Sequence, residues 1–207
     1  MKEAQEFVTR VRRKGKEILF IGTKSQASKR IKERAQSSQS FFVRERWLGG
    51  ILTNWSTVQA SLLQLHRLER EKNNGFWDSL QKKEVTVIQK RLRRLERYFG
   101  GLKGMRALPR AVIIVGQKTE FAAIQECQKL GIPLICRLDT DCNPNLVDIG
   151  VPINDDSVSR IRVFLKSFLP GIREGRRWWF SRKVQKQRKN DSFSDNKRGR
   201  IFKKSNS

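Results

Sequence analysis

Apolar residues in this chain follow two patterns: short unbroken runs, and longer stretches where they recur every three or four positions. The unbroken runs are "EILFIG" (Glu17 to Gly22), "SFFVRE" (Ser40 to Glu45), "RAVIIVG" (Arg110 to Gly116), "IPLICRLD" (Ile132 to Asp139) and the shorter "VDIGVPI" (Val147 to Ile153). Runs of this length without alternation predict strands covered on both faces, as in a parallel sheet. The recurring pattern predicts helices over Lys2 to Lys14, where Phe7 and Val11 share a face and Gly15 stops the helix, and over Ser25 to Gln36, with Ala27, Ile31 and Ala35 on one side. Another helix is expected over Glu120 to Leu130. A last one is capped by Asp155-Asp156-Ser157, carries Val158, Ile161, Val163, Phe164 and Phe168, and ends near Pro170-Gly171.

Two seams are cleaner than the rest. Ile51, Trp55, Val58, Leu62 and Leu65 form one; Val85, Ile88, Leu92, Leu95 and Phe99 form the other. Each is a single apolar stripe of the kind that pairs two helices. "KNNGFWD" (Lys72 to Asp78) supplies turn residues between them, so an antiparallel helical hairpin is expected. The whole predicts a doubly wound α/β domain with a parallel sheet and this hairpin inserted after the second strand. Residues 1–50 form the first part of the α/β domain, 51–101 the hairpin, 102–176 the second part, and 177–207 a basic C-terminal tail.

Charge narrows the function. The 207 residues hold 45 Lys+Arg against 20 Asp+Glu, a formal net charge of +25. Such self-repulsion is relieved by a polyanion, nucleic acid first and an anionic membrane surface as the rival. No apolar run approaches the ~20 residues that span a bilayer. From Gly171 onward there are thirteen Lys/Arg against three acidic residues, with "WWF" at 178–180 as the one apolar cluster. This composition predicts an arm without fixed structure that orders on its polyanion. In the second hairpin helix Lys83, Lys90, Arg94 and Arg97 fall opposite the apolar seam, forming a cationic rail able to lie along a phosphate backbone. A membrane-surface helix would present a broad apolar face instead.

Candidate catalytic chemistry is thin. "FIGTKS" and "IVGQKT" each place Gly-x-Lys-Ser/Thr between strand and helix, where anions are favoured. Both lack the upstream glycine of a nucleotide-binding loop, so strand-to-helix turns are the simpler reading. His66 stands alone on a helix. Asp139, Asp141, Asp155 and Asp156 cluster at strand ends, where turns and caps explain them more simply than a metal. No catalytic residue, metal site or cofactor is assigned. Cys127, Cys136 and Cys142 are few and irregular, which suits free thiols in a reducing compartment. The N-terminus has no apolar signal core, and its glutamates argue against a transit peptide.

One motif is sharper than all of these. "FFVRERWLGGILTNW" (Phe41 to Trp55) resembles the signature of ribosomal protein S-two of the small subunit. The likeness continues in order through "ILFIGTK", "YFGGLKGMRALPRAVIIV", "GIPLICRLDTDCNPNLVDIGVPINDD" and "IREGR", from about Lys14 to Arg176. The resemblance implies a flavodoxin-like fold with a protruding hairpin and a structural, non-enzymatic role. It implies docking on small-subunit rRNA near the head–body junction, beside neighbouring small-subunit proteins and away from any membrane. Trp47, Gly49, Gly50, Thr53, Asn54 and Trp55 would form the structural corner between domain and hairpin, and Asn154 to Asp156 a turn and helix start. "LTNWST" and the Asp-Thr-x-Cys-Asn-Pro form look most like plastid versions, which implies the plastid stroma of a chloroplast; the alternatives are a mitochondrion or a bacterial cytoplasm. The family's usual opening segment, with a Gly-His-rich stretch and a Trp-Asn-Pro step, is absent before residue 1. The expectation is therefore a missing first strand that leaves an inner sheet edge unpaired. Either a separate chain supplies it or the reading frame is incomplete.

The expected RNA contacts are Lys24, Arg44, Arg46, Lys83, Lys90, Arg94, Arg97, Lys103, Arg176, Arg177, Arg182 and Lys183. The competing class is an α/β enzyme or binding protein acting on a nucleotide or phosphorylated ligand through the two Gly-x-Lys turns. A third is a membrane-surface or chaperone-like module that uses the hairpin.

Overall fold

Five of the apolar runs become strands: β1 (Ile18–Ile21), β2 (Phe41–Val43), β3 (Ala111–Ile114), β4 (Leu134–Leu138) and β5 (Ile149–Pro152). The structure is a computed structural model that describes residues 1–139, 141–153 and 158–204, with backbone alone for Val158 and residues 188–204. The strands are all parallel in the order β2-β1-β3-β4-β5. The chain thus runs outward from β1 to β2, returns beside β1, and continues the other way, which is the flavodoxin-like order. The expected unpaired inner edge is not found. Leu19 pairs with Phe41 on one side and Val112 on the other, so the open edges are those of β2 and β5.

Successive strand residues serve opposite layers, as the pleat requires. Ile18, Phe20, Ala111, Ile113 and Ile135 pack with α1 (Lys2–Arg13), α2 (Ser25–Ser38) and α6 (Val158–Lys204). Leu19, Ile21, Val112, Ile114, Leu134 and Cys136 face the other way, toward α5 (Phe121–Lys129) and the root of the hairpin. The hairpin helices are α3 (Trp55–Asn73) and α4 (Lys82–Phe99), joined through a 3-10 turn at Phe76–Ser79. Its outer part has its own small core, in which Leu65, Leu68, Trp77 and Leu92 are buried and Val85, Ile88 and Leu95 pack against them.

Three expectations need correction. The helical seam does not include Ile51. Residues 49–54 are turns, and Ile51 and Leu52 are buried in the domain core, so the hairpin helices begin at Trp55 instead of residue 51. The periodicity misled because Ile51 points at the same core as Val58 and Leu62 from a different backbone.

The last helix does not stop at Pro170-Gly171 but runs to Lys204. A mid-helix proline costs about 3 kcal/mol. Here Phe164, Leu165, Phe168 and Ile172 on either side of it are fully buried against the sheet and α1. At roughly 1.5–3 kcal/mol for each large side chain buried, that face outweighs the break. The glycines have a different task. A Cβ on Gly171 would lie 2.4 Å from Thr9 Oγ1, and one on Gly175 would lie 2.7 Å from both Arg12 Cβ and Thr9 O. Two glycines four residues apart let α6 press directly on α1.

Nor do residues 177–204 form an arm without structure; they continue α6. Extending a docked helix needs no new nucleus, and lysine, arginine and glutamine are good helix formers. The expected Asn154 turn and the Asp155-Asp156-Ser157 cap lie outside the described residues, as do residues 205–207.

The α1–α6 crossing makes a direct prediction. Gly175→Val is expected to destabilise by about 1–3 kcal/mol through overpacking, although valine suits a helix better than glycine. A thermal midpoint at or above that of the parent, followed by circular dichroism, would contradict the close crossing.

Candidate nucleic-acid interface

The corner from Arg44 to Trp55 carries the chain from edge strand β2 to the hairpin, and one carboxylate organises it. Glu126 on α5 is buried under the loop. Its Oε1 accepts hydrogen bonds from Trp47 Nε1 (2.9 Å) and Gly50 N (2.8 Å). Its Oε2 accepts from Leu52 N (2.9 Å), Thr53 N (3.0 Å) and Thr53 Oγ1 (3.2 Å). Burial alone would raise this carboxyl's pKa. The donors from Thr53, Trp47, Gly50 and Leu52 prevail and hold it below its ordinary value of 4.5. Gly50 supplies the left-handed step (φ 90°) that turns successive N–H groups toward the carboxylate. Gly49 is exposed. Asn54 precedes α3, with Oδ1 accepting from Thr57 Oγ1 (2.8 Å), and Trp55 packs half-buried beneath the hairpin root. Trp47 is buried, so its ring faces the core and not a ligand.

The sequence alone does not single out Glu126. The available signal was positional: helix α5 buries Ala123, Ile124 and Cys127, and Glu126 sits three residues from Ala123, next to that apolar stripe. An acid there needs donors from the element packed against it.

The rail residues Lys83, Lys90 and Arg94 are exposed on α4 with no carboxylate partner among the described residues. Arg97 is tied down, pairing with Glu45 at 3.3 Å, and Glu45 also meets Arg44 at 3.4 Å. This knot marks a cleft of about 720 Å³ where α4 meets α2 and the end of β2. Lys32, Arg44, Arg93, Arg97 and Lys103 contribute its cations, against Glu45 and Glu96. The cleft floor is tight: a Cβ on Gly101 would sit 2.1 Å from the Phe42 carbonyl oxygen. Lys103 is an internal strut between the two hairpin helices, paired with Glu69 and, at 3.5 Å, with Glu96. It therefore holds the base of the hairpin together and is poorly placed to serve as a ligand group. Arg46 is exposed at the corner. The structure thus brings Arg44, Arg97 and Lys103 together at one joint, with Lys83, Lys90 and Arg94 in line along α4.

The two Gly-x-Lys turns meet where the strand order reverses, between β1 and β3. Thr23 donates to Glu120 Oε1 through both N and Oγ1, each at 2.6 Å. Burial pushes the Glu120 carboxyl above its ordinary value, only partly offset by Thr23 and by the charge of Lys24. The stem of Lys24 runs beside Gly116, its Cε 3.4 Å from where a Cβ would stand. Gln117 closes the neighbouring loop, donating to Asn143 O (2.6 Å) and accepting from Asn143 N (2.7 Å). The crevice at which this fold admits ligands is occupied by its own side chains, and Lys24 faces inward there.

The remaining candidates have ordinary surroundings. His66 is exposed, 4.0 Å from Glu69, and Lys118 pairs with Asp141 at 3.0 Å. Among the described residues no three of His, Cys, Asp and Glu converge, and no helix is long and apolar enough to cross a membrane. The Cys127 and Cys136 thiols are each pushed up to about 12 by burial.

Beyond the domain, α6 alternates aromatics with cations. Arg182 lies over the Trp178 ring (4.3 Å to its centroid), Lys183 over Trp179 (5.1 Å) and Arg176 over Phe180 (5.2 Å). Arg177 is exposed on the same helix. Trp179 is fixed in place, since a Cβ on Gly15 would sit 2.1 Å from its Nε1.

Comparison with known proteins supplies the context for this basic surface. A family model described as "Ribosomal protein S2" matches residues 1–175. The chain is 49% identical over 177 residues to "Small ribosomal subunit protein uS2" of Microcystis aeruginosa (strain NIES-843 / IAM M-2473), covering 86% of this chain and 67% of that one. It is 45% identical over 177 residues to "Small ribosomal subunit protein uS2c" of Mesostigma viride, covering 86% and 78%. It is 44% identical over 174 residues to the uS2c of Porphyra purpurea, covering 84% and 72%.

Glu126 gives this joint a pH signature. Its folded pKa is lowered, so its stabilisation is complete above the ordinary value of 4.5 and is lost as pH falls through the lowered one. Glu126→Ala strands several buried donors and is expected to cost roughly 3–5 kcal/mol. Glu126→Gln, which keeps an acceptor but not the charge, is expected to flatten the acid limb of stability. Urea midpoints measured from neutral to acid pH check both; a Gln variant with the parent's acid limb would contradict the assignment.

Proposed function

Since this chain belongs to the ribosomal protein S2 family, and is thus a structural component of the small ribosomal subunit and not an enzyme, we propose that it grips small-subunit rRNA through phosphate contacts along the hairpin. The contact surface runs from Lys83, Lys90 and Arg94 on α4 into the cleft holding Arg44, Arg93 and Arg97, with Arg46 at its rim. The observation that carries this reading is the row of exposed α4 cations lacking acidic partners, opposite a seam already used to pair α4 with α3. Solvated helix faces ordinarily mix the two signs. A one-sign row ending in a cleft fits the regular charge spacing of a nucleic-acid backbone.

In this reading the Glu126 corner fixes the angle between hairpin and sheet, so that both surfaces meet one folded RNA. The corner motif's resemblance to the family supports a seat near the head–body junction, among neighbouring small-subunit proteins. The plastid-like "LTNWST" and the two algal uS2c relatives support a plastid ribosome as its location. A separate chain supplying a further strand would have to pair at the edge of β2 or β5, because β1 is occupied on both sides.

Replacing Lys83, Lys90, Arg94 and Arg97 together by Glu is expected to abolish incorporation into small subunits, read by co-sedimentation. Each single Ala replacement at Lys83, Lys90 or Arg94 is expected to reduce the log–log salt slope of RNA binding by about 0.7–0.9. Normal sedimentation of the quadruple variant would refute the rail as the anchoring surface.

A further inference from the structure

We propose that the groove between the C-terminal end of α2 and α6 is a subsite for single-stranded RNA, with the phosphate held by arginines and a base lying on Phe180. This rests on the rRNA-binding reading above and extends it to residues past 175, where the family match ends. The groove is open, about 870 Å³, and lies between residues 36–39 of α2's end and Arg173, Arg176, Arg177 and Phe180 of α6. None of the residues lining it is acidic. The four α6 residues recur at spacings of 3, 1 and 3, which puts them on one helical face.

Three features distinguish this groove from a generic basic surface. Phe180 is 45% exposed, an unusual position for a ring that could turn inward. It is also held rigidly: it stands edge-on to Trp179, with ring centroids 5.0 Å apart, and Trp179 is wedged against Gly15. Arg173 is anchored by its bond from Nη2 to Ser37 O (3.3 Å), which sets the groove's width. A fixed aromatic beside guanidinium groups suits a nucleobase and its phosphate, because every base has a π-face and arginine matches phosphate in fork geometry. A membrane would need a broad apolar face, and this one holds a single aromatic among three arginines.

The groove also has a route in. Gln36 lines both this groove and the cleft at the hairpin root, so α2 joins the two basic depressions. A strand leaving the cleft can pass Gln36 at the end of α2 and reach Phe180.

The test uses the full chain, an eight-nucleotide oligouridylate and a twelve-base-pair RNA duplex, with binding read by fluorescence anisotropy. Phe180→Ala is expected to weaken oligouridylate binding about tenfold, leaving duplex binding and the salt slope unchanged. Phe180→Tyr should restore it, which separates stacking from folding. Arg177→Ala should lower the salt slope by about 0.7. Ultraviolet crosslinking should join oligouridylate to the peptide containing Phe180. Unchanged oligouridylate affinity in Phe180→Ala would overturn the proposal. So would equal losses for duplex and single strand, or loss of binding to phosphatidylserine vesicles alone. Subunit incorporation of the α4 variants is read separately, so failure of this groove leaves the reading of the hairpin intact.

Discussion

The carboxylate of Glu126 collects its five hydrogen bonds from a loop 73 to 79 residues earlier in the chain, and the position of the hairpin depends on it. Among the described residues of this loop and of α5, Glu126 is the one buried charged side chain. Backbone N–H groups of a loop folded against the core must find acceptors outside any helix or sheet ladder. Here Gly50, Leu52 and Thr53 turn theirs onto one buried anion. The donors are worth more for being charge-assisted and shielded from water. Because α5 is itself packed on the sheet, the base of the hairpin inherits the sheet's rigidity. The cationic face of α4 is then presented at a set angle to the domain.

Acidic residues are scarce in this chain, and their placement is selective. Glu45 clamps Arg44 and Arg97, Glu69 and Glu96 hold Lys103, Glu17 meets Arg12, and Glu174 meets Arg13. Each pair lies at a joint: sheet to hairpin, helix to helix, or α1 to its neighbours. Apart from that of the buried Arg12, these are surface or part-exposed pairs that contribute little stability individually. Their larger effect is to divide the basic residues in two. Arg12, Arg13 and Lys103 are neutralised within the fold, whereas Lys83, Lys90 and Arg94 along α4 have no carboxylate partner among the described residues.

Much of this was legible from residue order. Strands β1, β3 and β4 announced themselves as unbroken apolar runs because both their faces are covered. The pairing of α3 with α4 followed from two stripes and a polar turn. What misled was residue chemistry with more than one use. Pro170 and Gly171 signal a helix end in isolation, yet burial of Phe164, Phe168 and Ile172 overrides the proline, and the glycine serves contact with Thr9. Ile51 kept a helical spacing by coincidence, since turn and helix aim at one core. Glu126 gave the weakest signal, because a lone acid beside an apolar stripe has meaning only once the donors above it are known. The composition of residues 177–204 spoke of solvation and charge, and said nothing about continuing a helix already nucleated upstream.

The crossing of α1 and α6 bears on how the protein is made. Ala4, Val8 and Val11 of the first helix are buried among Phe164, Phe168 and Ile172 of the last, and Gly171 and Gly175 let the two helices press together. A ribosome synthesising this chain releases α1 first, but the surface α1 needs is encoded at the far end. Until Gly175 has emerged, one face of the sheet has α2 but not the α1–α6 pair to cover it, so this layer can close only after synthesis is nearly complete. The segment that closes it leads straight into the aromatic and basic stretch of α6, and the cover of the sheet and the extended helix are therefore completed in a single act.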